Sequence, residues 1–113
     1  MGKTADELTA EERDRYRAQA RMHHAMAKKK LGIRRKKAWE FAHQAAFLLR
    51  KRYDVSRVVV FGSLLDESRF TDVSDVDIAA WRIPADRTFR AMGDVWDLGV
   101  VAGIPANLVD IDA

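Results

Sequence analysis

The sequence of 113 residues contains no cysteine, no long apolar run and no low-complexity segment. Without cysteine the chain can form neither a disulfide framework nor a thiolate zinc site, and thiol redox chemistry is excluded. No stretch approaches the roughly eighteen consecutive apolar residues that a membrane-spanning helix needs, and the polar N-terminus lacks the apolar core of a signal peptide. These absences predict one compact cytoplasmic protein with no membrane-embedded part.

Charge is divided sharply between the two halves of the chain. Residues 1–53 carry 15 basic and 6 acidic side chains, whereas residues 54–113 carry 5 basic and 11 acidic ones. The halves therefore differ in sign, at +9 and −6, although the whole chain is only +3. Such an asymmetry indicates that the halves attract each other or face different partners, and a bound cation is expected in the acidic half.

The first half of the chain is patterned as two helices. Thr9 and Glu12 form a capping box that begins the first helix, and Gly32 is its expected left-handed terminator. A second helix, residues 34–53, has a broad apolar stripe that should pack on a core. We therefore expect an N-terminal helical extension over residues 1–33 and a main domain over residues 34–113.

The second half is patterned as strands with one further helix. Val58–Phe61 has the composition of a strand covered on both faces, and Asp75–Trp81 alternates as a half-buried strand does. Pro84 opens a helix that Gly103 ends, and Leu108–Asp112 alternates again. The order favours an α+β protein with a small mixed sheet of about three to four strands flanked by helices.

Paired carboxylates are the first candidate for chemistry. Asp75 and Asp77 lie on one strand face, where two ionised carboxylates would repel each other unless a divalent cation lay between them. Few, hard oxygen ligands suit Mg²⁺ or Mn²⁺ rather than zinc. A third carboxylate on another strand, Asp110 or Asp112, would complete a clamp for two metal ions.

A Gly-Ser pair directly after the first strand is the second candidate. Gly62 has no side chain to obstruct a phosphate, and the amides of Ser63 and Leu64 would be free to donate to it. Taken alone, a Gly-Ser pair or an Asp-X-Asp triplet is usually structural. Here the two follow in order, separated by eleven residues and each adjoining an apolar strand, which is a far more restrictive pattern.

The segments VVVFGS, residues 58–63, and SDVDIA, residues 74–79, resemble the signature of nucleotidyltransferases of the DNA polymerase β type, in particular the small prokaryotic minimal nucleotidyltransferases. The resemblance covers about residues 45–112. It implies the nucleotidyltransferase fold, with Asp75 and Asp77 as catalytic metal ligands. Gly62, Ser63 and Ser74 would then bind the triphosphate of the nucleotide.

The resemblance carries over less directly at two positions. We choose Asp110 over Asp112 as the third catalytic carboxylate and metal ligand, because its apolar-Asp-apolar setting resembles the third strand of the family. Many relatives have a basic residue soon after Gly-Ser, whereas this chain continues with Leu64 to Glu67. Either Arg69 is the substitute at the nucleotide, or the affinity for nucleotide is low.

By this resemblance, the protein transfers a nucleoside monophosphate from a nucleoside triphosphate, with ATP expected, to an acceptor hydroxyl. Minimal nucleotidyltransferases are often antitoxins that adenylylate a tyrosine of a HEPN-type toxin, so such a toxin is the implied protein partner. The alternative is a catalytically inactive binding module of the same fold that neutralises or scaffolds its partner. A third hypothesis, transfer to a small molecule, is disfavoured by the size of the chain.

The remaining features are interpreted as structural. The basic segment Lys28–Lys37 makes nucleic acid a conceivable partner, but we favour a solvated helix end, because no aromatic residue interleaves with the cations. The histidines are expected to be surface or packing residues: His23, His24 and His43. The aromatic residues at core spacing are expected to be buried: Trp39, Phe41, Trp81, Phe89 and Trp96.

Overall fold

The computed structural model describes residues 8–112, which fold as an α+β protein with a three-stranded mixed sheet. The elements in chain order are α1 (Ala10–Tyr53), β1 (Arg57–Phe61), a 3₁₀ turn (Gly62–Leu65), β2 (Val76–Trp81), a second 3₁₀ turn (Ala85–Arg87), α2 (Thr88–Ala102) and β3 (Ala106–Ile111). The central strand β2 pairs antiparallel with β1 and parallel with β3. The coarse fold class expected from the sequence is thereby confirmed.

The expected break at Gly32 is wrong, since α1 runs without interruption from Ala10 to Tyr53. Its start is as expected, because the amide of Glu12 donates to the Thr9 hydroxyl at 3.1 Å. Gly32 has no positive φ, unlike Gly103, which ends α2 in the left-handed region at φ 71°. Helix-forming residues flank Gly32 on both sides, and one internal glycine costs only about 1 kcal/mol relative to alanine. The lysines that precede Gly32 therefore lie within a helix and not at its end.

The chain divides into two compact units that meet between Gly32 and Ile33. In the first unit, every residue from 8 to 32 is exposed except Leu8, Glu12 and Leu31, which are half-buried. None of these described residues is buried. All the core residues that the structure describes therefore belong to the second unit.

The core of the second unit lies on one face of the sheet. Alternation along β2 buries Val76, Ile78 and Ala80 completely. The helices cover this face with small residues at close approach, and a side chain on Gly99 of α2 would meet Phe41 of α1 and the carbonyl of Ile104. Strand β1 is half-buried at an edge of the sheet, rather than covered on both faces as expected.

Two of the five aromatic residues expected in the core lie at the surface instead. Phe41 is buried, and Trp39 and Trp81 are half-buried, but Phe89 and Trp96 are exposed. The reason is that α2 turns its small residues, Ala91, Val95 and Gly99, toward the core. The larger side chains of α2 are left on its outer face. Within residues 8–112, no helix combines the length and apolar character required to cross a membrane.

Candidate functional site

The Gly-Ser turn packs directly against the second aspartate of the Asp-X-Asp motif. Phe61, the last residue of β1, pairs with Asp77 of β2, so Gly62 leaves the sheet beside that carboxylate. A Cβ atom on Gly62 would lie 2.5 Å from Oδ2 of Asp77. Gly62 also has φ 80°, a conformation that glycine adopts at little cost. The positive φ favours glycine here, and any side chain at this position would push the Asp77 carboxylate aside, so the main chain of the turn lies against a carboxylate.

Asp75 and Asp77 are brought together by an asparagine of the third strand. Asn107 is the register partner of Asp77 on β3. Its Nδ2 donates to Oδ2 of Asp75 at 3.2 Å and to Oδ1 of Asp77 at 3.1 Å. One amide group thus bridges both carboxylates. The two carboxylates therefore lie close together on the same face of the sheet, as their spacing predicted.

Asp75, Asp77 and Asn107 could together supply the ligands of a magnesium ion if the Asn107 amide turned its oxygen toward the carboxylates. Asp75 and Asn107 are exposed and Asp77 is half-buried, so the Asn107 amide is free to turn over and present Oδ1 in place of Nδ2. Two carboxylates and one amide oxygen are hard ligands of the kind that Mg²⁺ and Mn²⁺ take alongside water. No group of three or more His, Asp or Glu residues between positions 8 and 112 could hold a metal ion. A third protein ligand from this cluster would therefore be the neutral Asn107, and the cluster would carry a formal charge of −2.

Asp110 does not lie with Asp75 and Asp77, so its expected placement is corrected. Asp110 pairs with Ala80, three positions along the strand from the Asp77–Asn107 pair, which corresponds to about 10 Å. An odd offset also turns its side chain to the opposite face of the sheet. There the Thr88 hydroxyl donates to Oδ2 of Asp110 at 3.0 Å, while Oδ1 is buried without a partner. Asp112 follows the end of β3 and is two residues further along the chain from Asn107 than Asp110 is.

An arginine from α1 supports the Gly-Ser turn. Arg35 donates through Nη2 to the carbonyl of Leu64, within the 3₁₀ turn, at 2.8 Å. The first amides of a 3₁₀ turn that begins at Gly62, those of Gly62 and Ser63, have no acceptor inside it. The i→i+3 pattern pairs the Leu64 amide with the carbonyl of Phe61, so the expectation of a free Leu64 amide is wrong. A cation is therefore present beside the Gly-Ser turn, although it comes from 29 residues earlier in the chain rather than from the residues that follow.

The loop between the turn and β2 uses its polar groups internally. Hydrogen bonds from the hydroxyl and the amide of Ser68 hold the pKa of Asp66 below its ordinary value. Ser74 accepts from the amide of Thr71 at 2.8 Å, which closes the turn before Asp75. Arg69 is exposed, and its guanidinium makes no hydrogen bond or ion pair within residues 8–112. The structure therefore does not place Arg69 or Ser74 in contact with the carboxylates, and their roles at the nucleotide stay predictions.

Sequence reasoning missed Asn107 and Arg35. Asn107 precedes the segment expected as the third strand by one residue, and only the register of β3 shows that it faces Asp77. Arg35 belongs to the basic segment Lys28–Lys37, whose composition favours a solvated helix end. A local pattern signals neither contact, because both join residues at least 29 positions apart.

The residues that meet at this end of the sheet form a small acidic site beside a glycine turn. Comparison of the chain with protein-family models, with curated proteins and with solved structures found no match. The assignment of a function therefore depends on the geometry of this site and on the motif that its residues form.

Proposed function

We propose that this chain is a cytoplasmic, Mg²⁺-dependent nucleotidyltransferase with the nucleotidyltransferase fold. It binds a nucleoside triphosphate, with ATP expected, and transfers the nucleoside monophosphate to an acceptor hydroxyl. The observation that carries the proposal is the contact between Gly62 and Asp77. It brings a glycine turn with unpaired amides next to a carboxylate pair, within one small site.

This contact has an electrostatic consequence. A triphosphate bound along Ser63 would lie beside Asp75 and Asp77. The negative charges of the phosphates and of the two carboxylates would then repel each other. A divalent cation held by these carboxylates and by the Asn107 oxygen would offset the repulsion and supply charge neutralisation at the reacting phosphate. The acceptor oxygen forms its bond to the α-phosphorus as the bond to pyrophosphate breaks, and the acceptor proton passes to water.

The acceptor is proposed to be a tyrosine of a HEPN-type toxin, as in the family that the motif resembles. Asp75 and Asn107 are both exposed, which supports access by a side chain of another protein. If the toxin is the acceptor, radiolabel from ATP will appear on the toxin, and its transfer will be lost on Asp77→Ala. Undiminished labelling by that variant would contradict the mechanism.

Titration calorimetry with ATP and with GTP, in Mg²⁺ and in EDTA, tests the nucleotide site itself. We expect binding in Mg²⁺ that falls at least tenfold in the Asp75→Asn/Asp77→Asn variant. Asp72→Asn is the matched control, since Asp72 is an exposed aspartate on the same loop outside the cluster. Absence of binding by the unaltered protein at millimolar nucleotide, or equal loss in the control, would overturn the proposal.

The second candidate function is a catalytically inactive binding module, and Asn107 is the observation that favours it. An amide faces Asp77 from the neighbouring strand, so the cluster carries one charge fewer than a three-carboxylate clamp. Under this hypothesis the basic segment Lys28–Lys37 of α1 binds the partner. Charge reversal of the exposed Lys29 and Lys30 would abolish binding, whereas Asp75→Asn/Asp77→Asn would leave function in the cell intact. Arg35 is unsuitable for this test, because it supports the carbonyl of Leu64.

A further inference from the structure

The outer face of α2 carries a stripe of large apolar side chains that residues 8–112 leave exposed. Phe89 is 89% exposed, Trp96 58% and Val100 65%. At 100° per residue these three positions and Gly93 lie within about 60° of one another around the helix. A contiguous exposed patch of this kind is a feature of interaction surfaces rather than of ordinary protein surface.

The stripe is complementary to itself. In a pair of antiparallel α2 helices related by a two-fold axis at the midpoint between Asp94 and Val95, Phe89 of one copy lies opposite Val100 of the other. The same axis sets Gly93 opposite Trp96. A two-fold interface requires such reciprocal matching, because each residue meets its counterpart twice.

Gly93 fits this arrangement and has no role inside its own chain. A Cβ atom at position 93 would meet nothing within 4 Å, and Gly93 does not have a positive φ. Glycine is a poor helix former, so neither local conformation nor packing explains its presence in the middle of α2. Opposite a tryptophan, however, the missing side chain leaves a notch in which an indole ring can lie.

An apolar pocket at the end of the stripe provides a place for the phenylalanine. Trp96, Val100, Ile104 and Pro105 are among the residues that line a cavity of about 230 Å³. Because Phe89 of a second copy would lie opposite Val100, its ring would reach this pocket. The most exposed aromatic residue of the helix thus has a complementary recess on an identical chain.

Charges on one flank of the stripe are also complementary. Arg90 and Asp97 are both exposed and lie on the same side of the apolar residues. Antiparallel two-fold packing brings equal flanks together, so Arg90 of one copy lies within one helical turn of Asp97 of the other. The pairing is attractive at both ends of the interface.

From these observations we propose that the α2 face binds a second copy of this chain, through an antiparallel two-fold α2–α2 interface. Aromatic side chains have about 200 Å² of surface each, so the stripe would bury roughly 800–1,000 Å² in total, at the low end for specific interfaces. The expected assembly is therefore a dimer in equilibrium with monomer at micromolar concentration. The proposal is independent of the nucleotide site.

Sedimentation equilibrium of the full chain between about 1 and 300 µM tests the proposal. We expect a monomer–dimer equilibrium that Phe89→Glu weakens at least tenfold. Phe47→Glu is the matched control, since Phe47 is an exposed aromatic residue of α1 outside the stripe. A chain that stays monomeric at every concentration, or a dimer weakened equally by the control, would overturn the interface.

Two further variants separate the interface from general effects on folding. Gly93→Leu should raise the thermal stability of the monomer, because leucine favours helix and meets no neighbour, yet it should weaken dimerisation at least tenfold by filling the notch. Arg90→Asp and Asp97→Arg should each weaken the dimer, and the double reversal should restore it. A dimer indifferent to all three changes, or a foreign protein that binds this face in place of the second copy, would refute the proposal.

Discussion

Gly62 and Asp77 approach so closely that the turn has no room for a side chain beside the carboxylate. We expect Gly62→Ala to cost about 1–2 kcal/mol in the free energy of unfolding, because φ is 80° there. The new methyl group would also displace the Asp77 carboxylate, so Mg²⁺-dependent ATP binding should fall at least tenfold. Chemical denaturation and calorimetry measure the two effects.

Gly103→Ala is the control for this pair of effects. Gly103 has a similar φ of 71°, but a Cβ atom there would meet nothing within 4 Å. It should therefore lose comparable stability and keep its ATP affinity within twofold. Equal ATP affinities in the two alanine variants would show that the Gly62–Asp77 contact does not organise the site.

Asp110→Asn should leave nucleotide and metal binding within twofold of the unaltered protein. The reason is that Asp110 faces away from Asp77 and accepts a hydrogen bond from Thr88. Asp77→Asn, the same chemical change on the other face of the sheet, should reduce Mg²⁺-dependent ATP binding at least tenfold. Calorimetry on both variants provides the comparison, and a tenfold loss in Asp110→Asn would restore Asp110 as a ligand.

Asn107→Asp should make the stability of the protein depend more strongly on Mg²⁺ than that of the unaltered protein. The change removes the amide donors to Asp75 and Asp77 and adds a third carboxylate, so the melting temperature in EDTA should fall. Adding Mg²⁺ should reverse that loss and bind about tenfold more tightly than in the unaltered protein, because the cluster gains a charged ligand. Asn107→Ala, which removes the donors without adding charge, should lose stability in EDTA and regain less of it with Mg²⁺ than Asn107→Asp.

Local patterns predicted the elements of the sheet, and long-range pairing determined the rest of the site. The strands, the Gly-Ser turn and the closeness of Asp75 to Asp77 follow from alternation and composition over a few residues. Whether Asn107 or Asp110 faces Asp77 depends on the register of β3, which a shift by one residue would invert. Apolar spacing likewise does not tell which side of α2 faces inward. The small residues Ala91 and Gly99 let α2 approach the core closely, whereas the large side chain of Phe89 would not.

The continuity of α1 leads to a prediction about Gly32. Gly32 is helical and a Cβ atom there would meet nothing within 4 Å, so Gly32→Ala should raise helicity and stabilise the helix by about 0.5–1 kcal/mol. The gain should be visible as a more negative circular dichroism signal at 222 nm and as a higher temperature at which that signal is lost. A left-handed glycine terminator would give the opposite sign, as we expect for Gly103→Ala.

At the end of α1, the Tyr53 hydroxyl donates to Oδ2 of Asp94 in α2. Burial raises the pKa of Tyr53, and the hydrogen bond to Asp94 adds to the increase. Because the pKa in the folded state exceeds the unfolded value of about 10, the stabilisation is complete below pH 10 and is lost as the pH rises toward the folded pKa.

Tyr53→Phe should therefore cost about 1–2 kcal/mol at pH 7, since a hydrogen bond to a charged group is lost. The difference between the variant and the unaltered protein should shrink steadily above pH 10. Urea denaturation from pH 7 to pH 11 measures it, with Tyr16→Phe as the control, because Tyr16 is exposed on the same helix and should show no such difference. A gap between Tyr53→Phe and the unaltered protein that widened with pH would reverse the sign of the linkage and exclude a neutral Tyr53 as the donor.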